Sequence, residues 1–192
     1  MPKPNVREQI LTTSLALLHG RGYNATSVQD ITEAAGVPKG SFYNHFDSKE
    51  ALGLEVVQRY TEHDAGLPAV LHEPGVAALT RLQNYFKALV DLGIGMAPDC
   101  GCLLGNFSAE LSGQSPVIRQ RVNAAFDEWT ATLTEVVAQG QADGSVSAEI
   151  PAVELAAFMV NAWEGAVLRQ KVSQQRAALD IFLNVLLGKI LN

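Results

Sequence analysis

The sequence predicts an all-α protein, and three observations lead there. Apolar residues recur at helical spacing over long stretches, no stretch alternates apolar and polar residues as a half-buried strand does, and prolines and glycines punctuate the periodic segments. The chain has 192 residues, 47% hydrophobic and 18% charged, a balance that suits an ordered globular protein. That length accommodates one substantial core, or a small domain joined to a larger one.

The first helix is expected over 6–19, where Ile10, Leu11, Ser14, Leu17 and Leu18 form one stripe and Gly20 and Gly22 follow. A short second helix is expected over 27–35, capped by Thr26 with Gln29 three residues on, and broken by Gly36. A third begins near Pro38, where the missing amide proton costs nothing, and reaches Phe46. Asp47 is the expected cap of a fourth, with Glu50 at its third position, running toward His63. The segment 66–75, containing Pro68 and Pro74, reads as a connection. Further helices are expected over 76–94, 102–112, 115–139, 151–170 and 174–191, about nine in all.

Residues 31–49, ITEAAGVPKGSFYNHFDSK, are the most informative. Two short helices flank a tight Ala-Gly-Val turn, and Ile31, Ala34, Val37 and Phe42 are spaced to close a small core that the first helix must complete. The outer face of the third helix then carries Lys39, Gly40, Ser41, Tyr43, Asn44 and His45, all polar or small. A helix of this size fits the major groove of DNA, and such side chains reach phosphates or base edges. Lys49, opening the next helix, offers an ammonium beside helix amides to a phosphate, and Thr26 and Ser27 offer hydroxyls to one at the second helix. A net charge of −6 argues against a polyanion partner, but residues 1–50 hold five basic and five acidic groups, so the rest carries the whole excess.

From Ile10 to Leu52 the chain resembles the TetR family of repressors: Gly22-Tyr23, Thr26-Ser27, Gly36-Val37, Lys39-Gly40, Phe42-Tyr43, His45-Phe46 and Ser48-Lys49 all fall in register. One departure is Pro38, where the family often has a capping serine. The resemblance implies a helix-turn-helix DNA-binding domain over 1–50 and a ligand-binding and dimerisation domain over 51–192. It implies a regulator, in most cases a repressor, that binds a palindromic double-stranded operator as a homodimer and is released by a small-molecule effector. Carried over by position, the DNA contacts are Thr26, Ser27, Lys39, Gly40, Ser41, Tyr43, Asn44, His45 and Lys49.

The C-terminal helices carry broad apolar stripes. Ala178, Ile181, Phe182, Val185 and Leu186, with Ala156, Val160 and Val167 of the preceding helix, are the expected dimer face. Phe86, Leu89, Met96, Leu103, Phe107, Leu111, Phe126, Trp129 and Trp163 suit either an apolar pocket or ordinary core. Asn106, Glu110, Asn161 and Glu164 stand inside apolar stretches and need polar partners there, whether a ligand or a neighbour. Cys102 stands at a helix start, where amides favour a thiolate. The stretch around Gly101-Cys102 and Ser108-Ala109-Glu110 resembles the subgroup of TetR regulators that senses reactive electrophiles or small unsaturated acids, in which a cysteine here can be the sensor; a buried, inert thiol is the competing reading.

Other classes fare less well. An enzyme using Cys102 as nucleophile needs a nearby base, and the sequence shows no Cys/His arrangement. A helical interaction module without DNA binding is the remaining alternative. Cys100 and Cys102 are too few for a zinc site unless His63 or His72 joins them, so neither metal nor cofactor is expected. Two cysteines make no disulfide framework, and Arg7 and Glu8 interrupt the first apolar stretch, so neither a leader nor a membrane span is expected and the cytoplasm is the expected compartment.

Overall fold

The computed structural model describes residues 5–63, 67–95 and 100–191; Gly66, Met96 and Pro98 lie outside the described residues. The described residues form ten α-helices and a π-helical turn, with no strand. The helices are α1 (Val6–Arg21), α2 (Val28–Ala34), α3 (Lys39–Tyr43), α4 (Lys49–His63), α5 (Leu67–Leu71), α6 (Ala78–Gly95), α7 (Leu103–Leu111), α8 (Pro116–Asp143), α9 (Ala152–Ser173) and α10 (Ala177–Val185). The π turn, Leu186–Ile190, follows α10 directly.

Packing divides the chain into two compact units, one of residues 1–63 with 102–124 and one of 64–101 with 125–192. A boundary at residue 50 therefore falls inside the first unit. The physical reason is that α4 packs on α1, and α7 packs on both. Glu8 of α1 receives both guanidinium nitrogens of Arg59 from α4, and Arg7 pairs with Glu55 of the same helix. Ile10, Leu18, Ile31, Phe42, Leu52, Val56 and Val57 are fully buried in this unit.

Local chemistry corrects several helix ends. Ser27, not Thr26, caps α2: its hydroxyl accepts from the Asp30 amide at 3.1 Å, and the Asp30 carboxylate accepts the Ser27 amide proton at 2.7 Å. The Thr26 hydroxyl instead donates back to the Gly22 carbonyl at 2.8 Å. Ser48, not Asp47, caps α4, accepting from the Ala51 amide at 3.0 Å. Gly20 is helical, and Gly22 alone ends α1, at φ +92°. Pro38 is the cap residue of α3 rather than its first helical residue.

In the second unit the expected connection over 66–75 contains the short helix α5, because Leu67 and Leu71 stand four residues apart and bury themselves on the core. Phe86, Trp163 and Phe182 form an aromatic triangle at its centre, with ring centroids 5.3 to 6.2 Å apart. Gly140 lies against Val146: a Cβ there would stand 2.5 Å from Val146 Cγ2.

Candidate nucleic-acid interface

The polar face predicted for the third helix is present. Phe42 is fully buried and Phe46 nearly so, anchoring α3 and the turn after it to α1 and α2. Opposite them Lys39, Gly40, Asn44 and His45 are exposed, Ser41 is half-buried, and Tyr43 is 57% exposed. Tyr43 is held at its base by an edge-to-face contact with Phe42 at 5.2 Å. A Cβ on Gly40 would meet nothing within 4 Å, so this position presents bare backbone to whatever docks. The helix is shorter than expected, five residues, but His45 and Phe46 amides still donate to the Phe42 carbonyl, so the helical turn continues.

Thr26 is 1% exposed and serves the turn into α2. Ser27 is exposed as a cap, and its two hydrogen bonds hold the Asp30 carboxyl below its ordinary pKa. Lys49 donates to the Tyr23 carbonyl and stands 4.0 Å from the Tyr23 ring centroid. Burial lowers the Lys49 pKa, while the carboxylates of Glu110 and Asp30 oppose that shift.

The residues expected to meet a ligand divide between the two units. Cys102, Asn106, Phe107 and Glu110 belong to the first, and Trp129, Asn161, Trp163 and Glu164 to the second. Cys102 occupies the N-cap position of α7 without a side-chain cap bond, and the Tyr60 hydroxyl donates to its sulfur at 3.8 Å. Phe107 is fully buried with its ring edge-to-face on Tyr23 at 5.6 Å. Glu110 accepts the amide protons of Tyr23 and Asn24 at 3.1 and 2.7 Å. Its polar partner is thus a turn of the same unit, a pairing across 87 residues that no local pattern announces. Asn161 is exposed, on the side of α9 away from the core, and so needs no buried partner. Trp163 is part of the aromatic triangle, whereas the buried indole nitrogen of Trp129 has no hydrogen-bond partner among the described residues.

The expected dimer face also splits. Ala156, Val160, Phe182 and Leu186 are core residues within the subunit, and Val167 and Ala178 are half-buried. Ile181 and Val185 are exposed, and Phe158, Leu168 and Val172 of α9 join them at 49%, 63% and 71% exposure. Each of these helices carries two apolar stripes, one inward and one outward. A shallow groove of about 230 Å³ between them is lined by Phe158, Ala162, Ala166, Ala178, Ile181, Val185 and Ile190, together with the buried Phe182 and Leu186. An exposed Phe158 is not expected from the sequence, because the inward stripe of α9 alone satisfies its periodicity. Among the described residues no three His, Cys, Asp or Glu side chains gather as metal ligands. No described helix is long and apolar enough to cross a membrane.

Known proteins match this architecture along the whole chain. Residues 10–56 match the family described as bacterial regulatory proteins, tetR family, and residues 78–186 match the tetracyclin repressor-like C-terminal domain. The chain is 39% identical to the HTH-type transcriptional repressor DhaR of Mycobacterium sp. (strain GP1), over 100% of its own length and 95% of that protein. It is 30% identical to the transcriptional regulator AcuR of Cereibacter sphaeroides, over 91% of this chain and 80% of that one. The crystal structure of the reduced form of NemR from E. coli superposes with a TM-score of 0.89 at 26% identity, covering 98% of this chain and 97% of that one. DhaR and NemR carry the name transcriptional repressor and AcuR that of transcriptional regulator. The chain belongs to the TetR family: it is a helix-turn-helix transcriptional regulator with a ligand-binding C-terminal domain.

Proposed function

We propose that this protein is a cytoplasmic repressor that binds a palindromic operator as a homodimer and leaves it when a small-molecule effector engages the body. The observation that carries the reading is the solvent-facing polar side of α3, rooted by Phe42 and Phe46. Lys39, Tyr43, Asn44 and His45, with Gly40 and Ser41 between them, supply the donors and the close backbone approach that major-groove recognition uses. Ser27 and Lys49 flank them at the starts of α2 and α4, where helix amides favour phosphate; the Lys49 ammonium is held on the Tyr23 carbonyl, and a phosphate would share its remaining N–H donors. Thr26 contributes through the shape of the turn.

A second copy is the occupant proposed for the outer face of α9 and α10. A twofold operator requires a twofold protein, and an exposed row of Phe158, Leu168, Val172, Ile181 and Val185 is the type of surface that an isologous interface covers. For the effector, the unpartnered indole N–H of Trp129 is a donor available to an acceptor on a small molecule. Effector binding shifts the population between states that differ in the separation of the two α3 helices, and only a differential affinity for those states achieves it.

A thiol-sensing variant of the same reading is favoured by Cys102, which stands at the N-cap position of α7 and accepts a hydrogen bond from the Tyr60 hydroxyl at its sulfur. A donor to the sulfur is the type of contact that favours a thiolate. The test is selection of bound duplexes from a randomised pool, followed by band-shift titration and sedimentation. One dimer per selected palindrome is the expected result; no selected duplex at low ionic strength refutes the reading. Release by N-ethylmaleimide that is equal for the parent and Cys102→Ser would eliminate the thiol variant.

A further inference from the structure

We propose that Glu110 is a positioning residue for operator binding: from α7 it clamps the turn between α1 and α2, and through that turn it fixes α2 and α3. The inference rests on the DNA-binding reading above. Both carboxylate oxygens are engaged, Oε1 with the Tyr23 amide at 3.1 Å and Oε2 with the Asn24 amide at 2.7 Å. Successive amides converging on one anion form a small nest, and the left-handed Gly22 at φ +92° precedes them. A Cβ at position 22 would stand 2.7 Å from Glu110 Oε1 and push the carboxylate off its amides, and the positive φ already disfavours any side chain there.

The clamp has further holds on the same residue. Phe107, three positions before Glu110 and on the same face of α7, takes the Tyr23 ring edge-to-face at 5.6 Å. Lys49, the first residue of α4, takes the Tyr23 carbonyl and lies over the ring. The N–H, C=O and ring of Tyr23 are therefore each fixed by a residue distant in sequence. The clamped turn leads directly into Thr26, whose hydroxyl ties back to Gly22, and into the Ser27 cap of α2. Glu110 lies on none of the exposed polar positions of α3, so its influence on DNA is indirect. Packing on α1 and the Lys49 bond already restrain the α1–α2 turn; the carboxylate on α7 holds its two amides as well and narrows the remaining freedom of α2 and α3 before DNA arrives. Ordering that is complete before binding is not charged against affinity.

The experiment uses the full chain, with Glu110→Ala and Glu110→Gln, and a labelled duplex that the unsubstituted protein selects from a randomised pool. Loss of both charge-assisted bonds is expected to weaken binding about tenfold, and Glu110→Gln, which keeps one acceptor oxygen, about threefold. The dependence of affinity on salt stays unchanged, because no phosphate contact is removed. Amide hydrogen exchange at Tyr23 and Asn24 accelerates while that of α9 does not; a general loosening of the protein would accelerate both. Parental affinity in both variants, or parental exchange at those two amides, overturns the proposal. Should Glu110→Ala fail to fold, Glu110→Gln decides by the same two measurements. Should the unsubstituted protein select no duplex, the DNA-binding reading fails while the exchange measurement still decides whether the clamp exists.

Discussion

Replacing Lys39 by alanine separates a phosphate contact from a residue that merely shapes the fold. Lys39 is the first residue of α3, is exposed, and joins no described residue through a hydrogen bond or ion pair. Its removal therefore costs the fold little, within about 0.5 kcal/mol either way. Each phosphate neutralised contributes about 0.9 to the slope of log affinity against log salt, so two subunits lose about 1.8. Between about 50 and about 200 mM salt that difference amounts to roughly tenfold: the variant binds more weakly at low salt and loses less as salt rises. Fluorescence anisotropy with the selected duplex at four or more salt concentrations reads the slope directly. Lys87→Ala, an exposed lysine on α6 in the other unit, is the control. A Lys39→Ala slope equal to the parent's would falsify the assignment of Lys39 to a phosphate.

Three other perturbations test separate parts of the account. Ile181→Glu puts a charge on a side chain that is 63% exposed, so the subunit stays folded while sedimentation shifts from dimer to monomer and operator binding is lost; a persisting dimer moves the interface elsewhere. Ser27→Ala removes the cap of α2 and lowers stability by about 1 kcal/mol in denaturant titration. It also flattens an acid transition. The Asp30 carboxyl is depressed from its ordinary 3.8 by Ser27, so its contribution is full above the ordinary carboxylate range and fades as pH falls through the depressed value. Parent and variant stability curves that run parallel below pH 3.8 refute that linkage. Gly140→Ala drives a methyl to 2.5 Å from Val146 Cγ2 and 3.2 Å from Ala78 Cβ. Overpacking of this kind costs about 1–3 kcal/mol, and an unshifted melting curve by circular dichroism would show that Val146 can yield.

What the chain reveals before folding follows the range of the interaction. Periodicity locates the long helices, and the run from Ile31 to Lys49 shows both the buried anchor Phe42 and the polar face across from it, because both are properties of one short helix. Caps are less legible: Thr26 and Ser27 are chemically alike, and only backbone conformation decides that Ser27 meets Asp30 while Thr26 turns back to Gly22. α5 escapes because a Leu pair four residues apart beside a proline resembles a connection until a core exists to receive it. The partner of Glu110 is invisible for a different reason. Buried or engaged polar residues announce that a partner is needed, but an amide 87 residues away leaves no trace in local pattern. On α9 and α10, composition shows apolar residues all round; which stripe faces inward depends on where Phe86 and Trp163 stand.

The first compact unit is assembled from two separated stretches of chain, 1–63 and 102–124. During synthesis its opening helices emerge well before α7, and must wait with the Tyr23 amide unbonded to Glu110, its ring without Phe107, and the side of Gly53 that faces Ile118 uncovered. Non-local closure of this kind slows folding relative to a self-contained three-helix domain. A fragment cut after residue 63 keeps the motif that a sequence search finds but lacks the wall behind it, so a DNA-reading head borrowed for a chimera must bring residues 102–124 along or be given a substitute.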